Sequence, residues 1–596
     1  MSDGRGTDQL AGLAGRLLRA DYGTSRASRL ARLAHEADQA WEADPADRRS
    51  LDTASSLFEQ ALAALPARHP QRFGLVLDVA GCHRKLWLVA GDPERLRRSS
   101  ELLHELAAGA GGRSPRQRAD LWLSILQNHV LRFGDGDQAE ARRARECLGT
   151  LGSLLAGAAP QPWTASVRTA VLLAAAQLAA FEDDEQTCSR LLNEARQAFG
   201  GPLVLHRDDR TDTWIRCVDL RSKYLQERYE THYSDPDCRQ ALRLLTCWAR
   251  ACEGGPDNPV RPIARRGVLR VTRYRLLGRL EDAHGARADL AAALEMGVTG
   301  RARCDYQWYL GTLLVLIAQR HQLDRQSRAW ACRLAQESLA GTPSEPGSAD
   351  HALHVFLVAD VHHQFGGNRD AASLREILGL YRQALQGLTG TGNEWLVRQR
   401  LSLVHRALQE VEPYEDHLTP AVQQLERALQ VCPEPQAGQE TPALHSAMGD
   451  LLRLRHERNG DAEDYRRARV HTERGVLLAR DPGMAPGWAV RVSNHALVLA
   501  AKRRREDVHA AEQLLREALG SDHVHPDDEA VLRHNLGTVL REAGAAMQDG
   551  AQLREAEQAL RHAVRLTSVA TAVGRLARRN LALALYSRWE LDRKTS

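Results

Sequence analysis

Residues 532–564 read LRHNLGTVLREAGAAMQDGAQLREAEQALRHAV, and their spacing decides the architecture. Leu536 and Gly537 sit in a first amphipathic run, and Ala556, Leu560 and Ala563 follow at offsets of four and three in a second. Small residues one helical turn apart let two helices approach closely, while the leucine fills the space between them. The segment therefore predicts a helical hairpin.

Working outward, the figure returns. In residues 446–476 Met448 and Gly449 precede Ala468, Thr472 and Gly475, and in residues 78–107 Ala80 and Gly81 precede Ser100, His104 and Ala107. From the residue before the glycine to the first small residue the step is 20 in all three copies. Residues 492–519 form a looser copy with Ala496 at the glycine position. Amphipathic pattern and Pro, Gly and Asp punctuation place first helices near 71, 116, 164, 210, 261, 301, 347, 394, 441, 485, 526 and 570, a mean step of about 45 residues. The expectation is an all-α superhelical solenoid of about twelve hairpins. Residues 1–65 would cap the array, with 66–340 its N-terminal half and 341–596 its C-terminal half.

The turns inside the hairpins carry their own signature: VAGDPER, RFGDGDQ, HYSDPDC, GGNRDAA and RNGDAED. A glycine or asparagine ends one helix with positive φ, and the aspartate after it caps the next. Looser connections occur at EGGPDNPVRP, GTPSEPGSAD and VCPEPQAGQE, between hairpins.

Composition agrees. Only 5% of residues are aromatic, so preference runs towards helix. The 80 basic and 76 acidic residues nearly balance, giving no general reason to expect nucleic acid or membrane as partner. Lysine occurs only at 85, 223, 502 and 594, an arginine bias that reads as a GC-rich bacterial genome. The ten cysteines are scattered without a CxxC pair, as for reduced core thiols. The N-terminus lacks a basic start followed by an apolar run, and no window approaches ~18 uncharged apolar residues, so a cytoplasmic protein is expected.

The offsets of Leu536, Gly537, Ala556, Leu560 and Ala563 resemble a tetratricopeptide repeat (TPR), lengthened here from about 34 residues by roughly one turn per helix. The long repeat, with a His-x-x-x-Gly-Asp turn at His456 to Asp461, is similar to the arrays that accompany caspase-like CHAT protease domains in GC-rich bacteria. A CHAT domain itself is not present in this sequence. The resemblance implies a sensor or partner-binding array, working with a separately encoded protease or NTPase in a defence or signalling system. Carried over position by position, the groove-facing residues would be His534, Thr538 and Arg541, with Ser446, Asp450 and Arg453 in the preceding well-matched repeat.

Three constellations bear on chemistry. His351, His354 and His362 share a helix, but His351 and His362 stand about 16 Å apart along it, too far for one metal ion. His523, His525, Asp527 and Asp528 cluster where a loop enters a helix, a placement that complements the helix N-terminus. Arg266, Arg270 and Arg273 follow at steps of four and three, a basic stripe for phosphates or an acidic peptide unless the acids of EDAHGARADL neutralise it. Phosphate-loop, GxSxG and HExxH motifs are absent from the sequence. The eleven tryptophans read as wedges between hairpins. The expected function is a non-enzymatic protein- or peptide-binding scaffold with no cofactor or metal and with nucleic acid an improbable partner. The alternative is a regulatory subunit binding a small ligand or nucleic acid through the basic helix near 261–279.

Overall fold

The structure, a computed structural model, describes residues 26–43, 47–134, 137–199, 209–232, 234–252, 260–321, 323–366, 370–432, 434–478, 488–502, 504–520, 524, 526–567 and 572–595. Among these residues there are helices and turns and no strand. The helices pair as α1 (Arg26–Ala43) with α2 (Arg48–Ala64), α3 (Arg72–Ala90) with α4 (Pro93–Ala108), α5 (Pro115–Gly134) with α6 (Ala139–Ala156), and α7 (Pro162–Phe181) with α8 (Glu185–Phe199). Then come α9 (Asp209–His232) with α10 (Asp235–Ala251), α11 (Val260–Leu277) with α12 (Leu280–Glu295), α13 (Gly300–Arg320) with α14 (Arg325–Gly341), and α15 (Ala349–Phe365) with α16 (Ala371–Leu388). The last are α17 (Glu394–Val411) with α18 (Leu418–Val431), α19 (Glu434–Asn459) with α20 (Ala462–Leu478), α21 (Trp488–Ala500) with α22 (Arg505–Leu519), α23 (Pro526–Met547) with α24 (Gly550–Leu566), and a lone α25 (Ala572–Thr595).

The repeat reading holds, with two adjustments. The first is at the ends. Residues 26–64 are a hairpin like the others, and the helix expected to open a twelfth hairpin near 570 stands alone among the described residues. The second concerns the glycines. A Cβ on Gly537 would lie 2.5 Å from Leu560 Cγ and 3.1 Å from the Ala556 carbonyl, and one on Gly449 would lie 2.2 Å from Thr472 Cγ2 and 2.9 Å from the Ala468 carbonyl. These are the partners the spacing predicted. Gly81 has nothing within 4 Å of its Cβ position, so its match in spacing does not carry the same contact. There the hairpin closes through Ala80, whose carbonyl accepts from Ser99 Oγ at 2.8 Å.

The turn chemistry is as read at VAGDPER and RNGDAED, whereas Gly366 of GGNRDAA takes a negative φ of −56° and the helix after HYSDPDC opens without a side-chain cap. Gly91 and Gly460 take φ of 69° and 73°. Asp92 accepts from the Glu94 amide at 3.0 Å, Asp461 from Glu463 at 2.8 Å and Asp370 from Ser373 at 2.8 Å, each satisfying an amide of the helix it opens.

Contacts divide the chain into two units, Met1–Leu269 and Arg270–Ser596, with the division inside α11. In the first unit α3 and α7 are apolar over most of their circumference. Helix α3 buries Leu75, Val76, Val79, Leu86, Trp87 and Leu88, residues spread over well more than half of its circumference. The cause is that α9 returns across the stack. Its Arg221 guanidinium lies 4.0 Å from the Trp87 ring centroid, and its Cys217 and Leu220 pack on Trp87, Leu88, Leu96 and Leu131. Helix α7 reaches a mean hydropathy of 1.4 over 18 residues and is long and apolar enough to cross a membrane by length and composition, although Arg168 keeps its uncharged run short of the ~18 residues sought in the sequence. It packs against α5, α8, α9 and α10. In the second unit each hairpin packs on its neighbours, and the cores follow that order: Ala352 to Leu408, then Trp395 to Val498, then Val476 to Ala556.

Candidate interaction site

Successive first helices are joined by a polar ladder. Lys85 Nζ reaches Asp38 at 2.7 Å, Arg84 Nε donates to Asn128 at 2.7 Å, and Arg261 pairs with Asp219 at 2.9 Å. In the second unit Trp308 Nε1 donates to the Leu353 carbonyl at 2.9 Å, Arg400 pairs with Asp360 at 3.0 Å, and Arg406 with Asp450 at 2.8 Å. Asn494 then donates to Ser446 Oγ at 2.9 Å and Asn580 to Thr538 Oγ1 at 2.9 Å. Each bond links one first helix to the next, so it sets the register of one hairpin on another. A buried polar group left without its partner costs about 1–3 kcal/mol, which penalises any slip.

Three of the six residues expected to line a groove, Ser446, Asp450 and Thr538, belong to this ladder. Ser446 and Asp450 are buried, and Asp450 is shared between Arg406 and Arg453, the latter at 2.8 Å. Burial opposes ionisation of Asp450, yet the two guanidinium groups hold its carboxyl below the usual carboxylate range. His534 is buried on α23, where desolvation pushes its imidazole down to about 4. Thr538 donates to the His534 carbonyl at 2.9 Å while accepting from Asn580. Arg453 also pairs with Glu457 at 2.6 Å, and Arg541 pairs with Glu542 at 2.8 Å. Ser446, Asp450 and Thr538 thus lie between first helices, whereas Arg453 and Arg541 pair within their own helix. The TPR offsets place these residues on one face of each first helix. What fills that face is the neighbouring hairpin, 42–48 residues away in sequence, and no spacing within one repeat could show it.

The basic stripe is neutralised from within. Arg270 reaches Asp289 at 2.7 Å and Arg273 reaches Asp282 at 3.3 Å, both acids being buried on α12. Arg266 donates to Thr246 Oγ1 at 3.2 Å. The acids of EDAHGARADL therefore take the part that phosphates would have taken. His354 is buried and bonds Ser338 Oγ, whereas His351 lies half-buried, its amide bonded to Ser348 Oγ at 3.2 Å. His523 and His525 lie outside the described residues, as do the side chain of Asp527 and its contacts.

Two features were not read from sequence. Glu412, Glu415 and His417 converge in the turn between α17 and α18, their ligand atoms within 4.8 Å of one another. Arg375 pairs with both carboxylates, at 2.6 and 3.7 Å, so the cluster is an ion-paired joint between α16 and that turn. A cleft of roughly 440 Å³ opens in the α13–α14 hairpin, lined by Gly300, Arg303, Cys304, Gln307 and Glu337. Gln307 Nε2 already donates to Glu337 there at 2.7 Å.

The outer face of α25 differs from all of these. Leu576, Leu583, Tyr586 and Trp589 are 47%, 39%, 56% and 53% exposed, an exception to the reading of tryptophans as buried wedges that Trp87, Trp214 and Trp395 obey. Monomeric proteins seldom leave such side chains grouped on one face.

No family model matches the sequence, and no curated protein matches it either. Solved structures do. They include the APC/C hetero-tetramer Cut9-Hcn1 (14% identity, covering 94% of this chain and 96% of that one, TM-score 0.36) and the human IFIT1 dimer with PPP-AAAA (12%, 83% and 94%, 0.38). The yeast Tom70 structure is a third (11%, 95% and 97%, 0.28). At these identities and scores the reading of this chain rests on its own residues.

Proposed function

We propose that the chain is a protein-binding scaffold or sensor built from TPR-like hairpins. The observation that carries the reading is where its polar groups go. Buried acids and arginines such as Asp360, Asp450, Asp289 and Arg84 are engaged in joints between helices, and large apolar side chains stand grouped on the outer face of α25. A frame whose interior charges are largely paired within the chain, with an apolar outer patch, suits recognition of another macromolecule through surface contact. The lengthened repeat and its His456 to Asp461 turn further suggest a separately encoded protease or NTPase as the working companion, in bacterial defence or signalling.

Affinity capture from the source cell with quantitative mass spectrometry tests the reading. A stoichiometric protein partner retained at physiological salt is expected, and recovery of the chain by itself refutes it. The companion is tested by the flanking genes, where neither a protease nor an NTPase would remove that part.

A further inference from the structure

Helix α23 is covered by α24 along a line of small residues: a Cβ on Gly537 would meet Leu560, and one on Gly544 would meet Leu553 Cγ at 3.0 Å. One repeat later, about 45 residues on, the corresponding positions of α25 are Ala582 and Trp589, with Tyr586 in place of Arg541. The opposite side of α25 is already docked. Ala577 and Ala584 are fully buried, Asn580 donates to Thr538, and Arg588 pairs with Glu557. The face presented outward is therefore the one that, on α23 in the preceding hairpin, α24 occupies.

That face is not a simple continuation of the repeat. Tyr586 and Trp589 stand with centroids 5.9 Å apart where α23 has an arginine and a glycine, and Arg593 lies 5.5 Å from the Trp589 centroid. A helix laid against it must bring alanine or glycine opposite the rings and an apolar residue opposite Ala582. Charge narrows the occupant further. With Arg588 taken up by Glu557, helix α25 still holds Arg575, Arg578, Arg579, Arg593 and Lys594 against Glu590 and Asp592, an excess of three positive charges in a chain whose formal net charge is +4. Two copies of so basic a helix repel one another, whereas an acidic helix is attracted.

We infer that the outer face of α25 is a docking site for an acidic amphipathic helix of a partner protein, one bearing a small–large–small stripe flanked by carboxylates. This rests on the scaffold reading above and names where and what the scaffold binds. The chain contains its own template for such a helix. Helix α22, REDVHAAEQLLREAL, buries Val508, Ala511, Leu515 and Ala518 and carries Glu506, Asp507, Glu512 and Glu517.

The test uses the full chain and a synthetic capped peptide of sequence 505–519, followed by fluorescence anisotropy. Saturable binding is expected. It should weaken by about 10-fold or more in Leu583→Glu and in Tyr586→Glu proteins of unchanged helicity, in peptides whose four acids are made amides, and at high salt. Absence of binding, or binding indifferent to Leu583→Glu, overturns the proposal. So does a dimer by light scattering that Leu583→Glu dissociates, because the face would then belong to a second copy. Partner capture with the Leu583→Glu chain separates this inference from the scaffold reading. A partner retained in full leaves the scaffold standing and removes α25 as its site.

Discussion

The same substitution, glycine to alanine at the same place in the motif, should have opposite signs in two repeats. At Gly449 the new methyl would lie 2.2 Å from Thr472 Cγ2 and 2.9 Å from the Ala468 carbonyl, against an ordinary contact of 3.4 Å or more. The shortfall of about 1.2 Å is partly relieved if Thr472 turns, but the backbone carbonyl cannot turn with it. Alanine gains about 1 kcal/mol of helix propensity over glycine, and overpacking a close helix contact costs about 1–3 kcal/mol. With backbone in the way the cost prevails, and Gly449→Ala should lose about 1–2 kcal/mol. At Gly81 nothing lies within 4 Å, so only the propensity gain remains and Gly81→Ala should stabilise by up to about 1 kcal/mol. Urea unfolding followed by far-ultraviolet circular dichroism measures both. Amide exchange across α19 and α20 localises the first effect, because a stacked array need not unfold in one step. Thr472→Ser, which removes Cγ2 and keeps the hydroxyl bond to the Ala468 carbonyl, should restore part of the loss in the Gly449→Ala background. A Gly449→Ala protein as stable as its parent would refute the reasoning from close approach.

His405, His445 and His534, all in the second unit, are pushed down to about 4 by burial, with Arg382 and His417 adding at the first and His471 and Arg474 at the second. The folded state thus favours neutral imidazoles. As pH falls below the ordinary value of 6.5 towards 4 the unfolded chain binds protons that the folded chain does not, so stability is lost over that window, by up to about 3 kcal/mol for each group. A urea midpoint that does not move between neutral pH and about pH 5 would contradict this. Removing Asp450 by Asp450→Ala leaves Arg406 and Arg453 facing each other and should cost about 2 kcal/mol, after allowance for the exposure of Arg406, whereas truncating the exposed Arg466 should cost under about 0.5 kcal/mol. Arg273→Ala, which strands the buried Asp282, should lower the melting temperature, and polyanion binding should be no weaker for its loss. A large drop in such binding at constant stability would revive the basic helix as a site.

Much of the fold could be read from local rules. Helix starts near 71, 116, 164, 210 and 261 agree with Arg72, Pro115, Pro162, Asp209 and Val260, because period, glycine and aspartate act over a few residues. The close approaches at Gly449 and Gly537 were equally legible. The interior ladder was not. Whether Asp450 meets a ligand or Arg406 depends on the rotation of one hairpin against the next, which a period of about 45 residues leaves open. For the same reason the return of α9 onto α3 left no mark in the sequence except the broad apolarity of α3 and α7, easily taken for ordinary core. Exposure of Tyr586 and Trp589 was hidden too, since an aromatic in a helix reads alike whether covered or bare.

The return of α9 also bears on synthesis. In the second unit a hairpin leaving the ribosome finds its contacts on the hairpin just before it. In the first unit Trp87 and Leu88 wait for Cys217, Leu220 and Arg221, on the order of a hundred residues later, and Gly134 waits 106 residues for Gln240. At ordinary translation rates that is roughly five to twenty-five seconds with an aromatic and aliphatic surface open to water. The nascent chain is most vulnerable to aggregation in that interval, and a chaperone or a slow codon stretch would act there, before the second unit begins to emerge.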